Sequence, residues 1–507
     1  MSERVLTAKF HEPAKRLRNA PFRRKRRPKF GRAPWSEASV ADTGFPTPKG
    51  GVPPLSAASG GEIRGLPLFH SSTALHFLQA FVYFVYFVVP LSTFSQGNLN
   101  PSGPPGPTFK TLSQVEPRTP ISALPYSITN SGSYYLTTNL TGVAGTNGIT
   151  ISADNVTVDL GGFALIGGGG NRAIYVPSAQ QNLCVRNGTI RDWSSPVFAF
   201  STANSQFERL RLSGNGASLS TGSNCAVTAC LVQQNSAGIF TDAGSTLADC
   251  IVVGNNAIGI NTTADATIRN CLSYQNGSQG IFTGDRAFIK DCTVTANGNA
   301  GIYTGSSTIQ GCTVVGNSLT GIVAGAASII KECLSRGNQG VGILVGNNST
   351  VSDCQALNNT SGGIYANNAC LIKSCTVLSN GAQGIYCVDH CTVSSCLVSS
   401  NGSIGIQVGN NNVVSDNNVT ANALGVLEGI FVGAANRVEG NTVAGNFNKG
   451  IYANDVRNVI VRNTAYTNAN QTVNYSVGLG NIFGPSTNLF DASGVITNQN
   501  PWANFSY

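Results

Sequence analysis

Residues Gly301–Asn317 read GIYTGSSTIQGCTVVGN, and their neighbours repeat the phrase. The stretch from Gly280 reads GIFTGDRAFIKDCTVTANG, and the one from Gly321 reads GIVAGAASIIKECLSRGNQ. Cys230, Cys250, Cys271, Cys292, Cys312, Cys333, Cys354, Cys375 and Cys396 are spaced by 20 or 21 residues. An asparagine stands five residues after each, from Asn235 to Asn401, and this column continues at Asn422, Asn446 and Asn468. There the cysteine position itself becomes Asn417, Asn441 and Asn463. A third column is the isoleucine of Gly-Ile, and a fourth is the apolar residue three before the cysteine, as in Ile289 and Val393. A fixed period in the range of 20–50 residues means a repeat architecture.

Within a unit the alternation is two-fold. Ile302 and Tyr303 point opposite ways, while Ile309, Cys312 and Val314 share a side. Period two means strands, and several fixed columns in so short a unit leave no room for helices. Three short strands joined by Gly/Asn turns make one coil of a solenoid. Stacking coils as parallel sheets covers every strand edge except at the two ends. With right-handed crossovers the predicted fold is all-β, a right-handed parallel β-helix (β-solenoid). It should have roughly 14–16 coils of about 21 residues over 148–490, near 70 Å long at ~4.8 Å per coil. Each column then stacks on copies of itself. Ile and Val do so by packing, Cys as a small buried hydrophobe, and Asn by passing an amide hydrogen bond from coil to coil.

On this reading the nine-membered thiol column is buried and reduced. Cys312→Ser should destabilise, because a buried hydroxyl needs a partner. An even column lacks the paired short spacings of a zinc site, so no metal is expected there. The spacing leaves a bridge open among Cys370, Cys387 and Cys391.

The remainder of the chain is different in composition. Of 507 residues, 1–64 hold 14 Lys/Arg against 5 Asp/Glu, and the other 443 hold 17 against 18. The formal charge of +8 therefore belongs to a Pro/Arg-rich leader without apolar periodicity, expected as a solvated tail. This gives no reason to expect nucleic acid as a partner. Residues 65–107 carry a hydrophobic signal-like segment (77–95) and a Pro/Gly linker. The apolar core of that segment, about 15 residues, suits a signal peptide better than a membrane span. Thr93 and Ser95 would sit at −3 and −1 of a cut before Gln96. Met1 is the only methionine, so a start nearer this segment would use a codon read here as Leu or Val. An uncleaved 77–91 anchor, with the basic leader inside, is the competing reading. Both place the rest of the chain outside the cytoplasm: secreted, at the cell surface or in the periplasm. Residues 108–147 are expected as an N-terminal capping segment and 491–507 as the C-terminal cap.

The phrase NGITISADNVTVDLGGFALIG, followed by the Asn/Gly-Ile/Cys units, resembles bacterial right-handed parallel β-helix repeat proteins of the pectin-lyase-like superfamily, over roughly Thr108 to Tyr507. The resemblance implies the fold and a possible tie to polysaccharide, since the superfamily includes pectate lyases, polygalacturonases, alginate-modifying enzymes and phage tailspikes. The Asn-Thr-Asp, Asp-Asp and Gly-His-Gly motifs of polygalacturonases do not occur here, nor does the Asp-Pro-His of alginate epimerases. The nearest phrase is the Asp389-His390 pair in CVDHC, which reads better as a solvated turn. A lyase would want a Ca2+ cluster of carboxylates with a Lys or Arg base. Asp291, Glu332 and Asp353 beside Lys290, Lys331 and Lys373 fit this poorly, because Gly311 and Ser374 interrupt the ridge. No cofactor is expected unless the protein is such a lyase, and whether it is an enzyme stays open.

Two binding surfaces are predicted. The residue after each Gly-Ile isoleucine faces outward, and Phe282, Tyr303, Tyr365 and Tyr386 head a strip of aromatics able to stack on sugar faces. The bland alternatives are strand preference or cover by 108–147. The second surface is an early basic cluster of Arg186, Arg191 and Arg209, beside Asp192, Trp193, Glu208 and Arg211, which could grip an acidic polysaccharide. The leading expectation is a secreted or cell-surface protein binding polysaccharide or a cell-surface glycan along its long face. A structural or adhesive surface protein without small ligand, and a divergent polysaccharide lyase or glycoside hydrolase, are the alternatives.

Overall fold

The computed structural model describes residues 115–422, 427–471, 473–488 and 499–507; the basic leader, the 77–95 segment and the linker lie outside these described residues. The described chain is a right-handed parallel β-solenoid of about 17 turns, more than the 14–16 expected. The excess is at the N-terminus. Tyr126, Gly132 and Leu140 pair in parallel with Ile149, Val156 and Leu165, so the strands of 126–141 are the first coil of the stack rather than a separate cap. The Gly-Ile phrase is missing there, which is why the sequence hides this coil. At the other end, Asn504–Ser506 pairs with Thr464–Tyr466 and covers that edge, and the Tyr466 and Tyr507 rings stack at 4.5 Å.

One coil shows how the repeat works. Ile302–Thr304 turns Ile302 and Thr304 inward and Tyr303 outward. Thr308–Gln310 and Thr313–Val315 each turn only the middle residue inward, Ile309 and Val314. Register is strict: Ile302 lies between Ile281 and Ile322, and Tyr303 between Phe282 and Val323. The core is therefore a set of single-residue columns along the axis.

The coil closes through bends in the left-handed backbone region. Gly311 and Gly316 take φ of 63° and 62°. In other coils the Gly311 position is held by Asp291, Glu332, Asp353 and Ser374, and a further bend column includes Arg286 and His390, all with φ between 51° and 60°. The intermittent charges on that ridge thus stand on bends whose side chains point to solvent. The residue after each bend points inward, and this is where the ladder cysteines and asparagines fall.

Asn317 shows the tie. Its Nδ2 donates to Asn338 Oδ1 at 3.0 Å and to the Val294 carbonyl at 3.2 Å. Its Oδ1 accepts from the backbone N–H and the Nδ2 of Asn297, both at 3.0 Å. The cysteine does a weaker version: Cys312 Sγ lies 3.4 Å from the Gln310 carbonyl and 3.8 Å from that of Ile289. Cys396 N–H donates to Asn417 Oδ1 at 2.9 Å, which marks where the thiol column hands over to an asparagine ladder. All fourteen cysteines are free thiols, Cys370, Cys387 and Cys391 included. Burial and the thiol of the preceding coil bear on their acidity. The thiols of Cys250, Cys271 and Cys292 are each pushed up to about 12, first by the hydrogen bond with the preceding cysteine and further by burial.

Candidate functional site

The outward column one residue after the buried isoleucine forms a strip on one sheet. Tyr365 pairs with Leu344 below and Tyr386 above, and Phe431 pairs with Tyr452. Its side chains stay accessible: Tyr303 is 43% exposed, and Phe282, Tyr365 and Tyr386 are half-buried. Neighbouring rings touch along the strip. Phe282 and Tyr303 are stacked at 5.4 Å and 10°, while Tyr365 and Tyr386 are tilted at 5.5 Å. The segment 119–141 does not lie over these rings, because 126–141 forms strands of the first coil and Thr119–Ile121 pairs onto that coil from below.

Polar groups run beside the rings. Tyr365 Oη donates to Gln383 Oε1 at 2.6 Å, and Gln383 Nε2 donates to Gln407 Oε1 at 3.0 Å. Near the C-terminal end, Lys449 Nζ sits 3.4 Å from the Tyr452 ring centroid and 3.8 Å from Glu428 Oε1. Glu428 is 7% exposed, a carboxyl held largely out of water with its cation.

The strip runs further than the Gly-Ile phrase. Tyr175 and Phe198 occupy the same column below Ser220 and Phe240. Phe198, Phe200 and Phe240 form a chain of ring contacts at 5.0 and 5.2 Å. They border a cleft of about 500 Å³ lined by Asn171, Arg172, Ser194, Ser195, Phe198, Phe200, Ala217, Ser218 and Ser220. A smaller hollow of about 240 Å³ shares Phe200 and Ser218 and continues to Phe240 and Asn261. The cleft exists because these coils are longer. Ser195–Ala203 is a nine-residue strand where the regular repeat uses three.

Trp193, read with the charged cluster, is a core residue at 2% exposure. Its ring fills space left by Gly142, Gly148 and Gly170, where an added Cβ would meet ring atoms at 2.3, 2.9 and 2.3 Å. The three arginines of the cluster each face a carboxylate. Arg186 lies 3.2 Å from Asp159 and 3.9 Å from Glu208, Arg209 lies 2.7 Å from Glu208, and Arg191 lies 2.5 Å from Asp192. They sit on strands of the other sheet, and so do not converge with the aromatic strip. Arg172 was not singled out by the sequence, yet it is a cation at the strip and lines the cleft. Its guanidinium carbon lies 4.6 Å from the Tyr175 ring centroid and 4.4 Å from that of Phe198.

Asp389 and His390 stay apart from the strip, in the bends. Asp389 Oδ1 accepts the Asn410 N–H at 2.6 Å, and Asn368 Oδ1 accepts that of Asp389 at 3.1 Å, a turn ladder on the surface. Among the described residues no group of three or more His, Cys, Asp or Glu side chains is placed to hold a metal ion.

The family model described as right-handed beta helix region matches residues 303–435 and 365–500. The model described as periplasmic copper-binding protein (NosD) matches 147–324. Copper does not fit the residues there, since the cysteines are strung along the axis, at most two to a coil, with their thiols directed at backbone carbonyls, and no group of three potential ligands converges among the described residues. No curated protein matches the chain. Among solved structures, the mannuronan C-5 epimerase AlgE4 A-module of Azotobacter vinelandii is 16% identical, covering 69% of this chain and 90% of its own, with a TM-score of 0.34. The catalytic unit of a GH87 alpha-1,3-glucanase from Streptomyces thermodiastaticus is 13% identical, covering 66% and 62%, with a TM-score of 0.33. Tailspike protein 3 of bacteriophage CBA120 is 12% identical, covering 72% and 61%, with a TM-score of 0.27. These three are distant, and what each acts on is said of that protein alone. Its parallel strands in fixed register, its ladders along the axis and the match to the right-handed beta helix model make this chain a right-handed parallel β-helix repeat protein.

Proposed function

We propose that the protein is exported and binds a polysaccharide lengthwise along its aromatic strip. One observation carries this reading: partly exposed rings recur in a single outward column from Tyr175 to Tyr452, in register with the coils. A ring on a rigid strand loses little freedom when a sugar face packs on it, and each such contact contributes about 1 kcal/mol. Several contacts in line favour an extended chain over a single small ligand. The amides of Gln383 and Gln407 and the Tyr365 hydroxyl lie beside the rings and can meet sugar hydroxyls. Export follows from the 77–91 hydrophobic segment, and thiols buried along the axis can stay reduced outside the cytoplasm.

The test is a glycan array with the full chain, followed by titration calorimetry on the best ligand. Tyr303→Ala with Tyr365→Ala should weaken binding roughly 10–30-fold while the melting temperature holds. Undiminished binding would leave the strip as strand preference only. A second reading, a structural or adhesive spacer, is favoured by the regular coils between Cys230 and Asn417, which have no insertions to wall a cleft. It would be upheld by an array on which no glycan binds.

A further inference from the structure

We infer that the Arg172 cleft is an anion subsite, which holds a carboxylate or sulfate group on one unit of the bound chain. The inference rests on the strip reading only in making the ligand a glycan. The cleft itself is argued from three observations.

The guanidinium carbon of Arg172 lies against two rings, Tyr175 and Phe198, which hold the side chain at the cleft. Unlike Arg186, Arg191 and Arg209, it has no carboxylate partner among the described residues, and no side-chain hydrogen bond there takes up its N–H groups. A guanidinium set beside aromatic rings meets no strong acceptor there and keeps its N–H groups for a ligand, and two parallel N–H groups match an oxyanion.

Ser195 supplies the second observation. It is in direct register with Arg172, one coil above, and both line the cleft. Ser195 is 8% exposed, and its Oγ is buried without a hydrogen-bond partner. A buried hydroxyl left unpaired is unfavourable unless a ligand completes it. Of the buried unpartnered side-chain atoms among the described residues, this is the one that lines a cleft. The third observation is continuity. Phe198 belongs to the aromatic strip and Phe200 joins it to Phe240 by ring contacts, and both line the cleft, so a chain lying on the strip passes the guanidinium. The Ser218 and Ser220 hydroxyls also line the cleft, already paired with each other at 2.7 Å.

The experiment uses the full chain and four probes of matched length: an oligogalacturonate, its methyl ester, a sulfated oligoglucan and the unsulfated oligoglucan. The anionic member of at least one pair should bind about tenfold or more tighter than its neutral counterpart, as a charge-assisted hydrogen bond at low salt gives. Which pair shows the preference tells carboxylate from sulfate. Arg172→Gln should erase the preference, bringing each anionic probe down to its neutral counterpart, and Ser195→Ala should reduce it severalfold. Circular dichroism melts confirm that both variants fold. Equal binding within both pairs, a preference that survives Arg172→Gln, or no binding of any probe would each overturn the subsite. The strip is judged separately, by Tyr303→Ala with Tyr365→Ala on the neutral probe. Loss there with no anion preference sinks the subsite alone; a preference abolished by Arg172→Gln with the tyrosine pair inert sinks the strip alone.

Discussion

Asn317 ties three coils together with one side chain. Replacing it by alanine leaves the backbone N–H and the Nδ2 of Asn297 without their acceptor, and removes the donors to the Val294 carbonyl and Asn338 Oδ1. Unsatisfied buried groups of this kind cost ~2–4 kcal/mol together, so Asn317→Ala should lower the thermal unfolding midpoint clearly. The cysteine column is more forgiving than its sequence suggests. Ser328, at an equivalent inward position after a bend, donates to the Gly325 carbonyl at 2.8 Å and accepts the Ser307 N–H at 3.2 Å. A hydroxyl at 312 would meet carbonyls in the same way. Cys312→Ser is therefore expected to destabilise, by about 1 kcal/mol. Cys312→Leu, too large for the corner, should cost ~1–3 kcal/mol. Denaturant titration of both variants distinguishes them. For the native protein, a thiol reagent should label Cys184, the one half-buried thiol, well before the thirteen buried ones. Rapid labelling of several ladder thiols would refute the burial.

The coil is the unit at the next scale, and its tightest point is the glycine before each isoleucine. A Cβ on Gly301 would come within 2.4 Å of Val314 Cγ1, 2.7 Å of Asn317 Nδ2 and 2.7 Å of the Gly321 carbonyl. Two of those atoms belong to the core column and the ladder, so relief at one strains the other. Gly301→Ala is expected to destabilise by ~1–3 kcal/mol, although alanine normally stabilises a chain against its unfolded state. A calorimetric scan that shows no loss would mean the coil can widen. The bends argue the converse. Glu332 and His390 hold left-handed backbone where glycine fits without strain, so charge on that ridge reflects solvent exposure and not chemistry.

At the scale of the whole solenoid, each coil contacts its two neighbours, so stability is a sum of coil and interface terms. Excision of residues 281–301 joins Gly280 to Ile302 and restores every column. That variant should fold with a cooperative melt within a few degrees of the parent. Excision of 281–290 puts the coils before and after the cut out of register with each other and should lower and broaden the melt, since one coil and its interfaces are lost. Circular dichroism of the two deletions, side by side, gives the answer. The aromatic strip would be shortened by Phe282 alone in the first variant, so glycan affinity should fall less than for the double tyrosine change.

The sequence determined the repeat by itself, because a column that stacks on its own copies must use the same residue type every coil. Ile302, Cys312 and Asn317 are legible for that reason, and with them the inward and outward sides and the strip from Phe282 to Tyr386. Where the coil lengthens, that constraint lapses. The first coil at 126–141 and the cleft around Arg172 and Ser195 lack the phrase, although Tyr175 and Phe198 still follow a buried Ile174 and Val197. Which arginine is already neutralised was beyond sequence, since Arg186 meets Asp159 across 27 residues of chain. Arg191 and Arg209 pair with the adjacent Asp192 and Glu208, whereas only stacking of the coils brings Arg186 to Asp159 and sets Arg172 beside the rings of Tyr175 and Phe198. Charge is local in sequence, but its partner is set by what the solenoid brings one coil away.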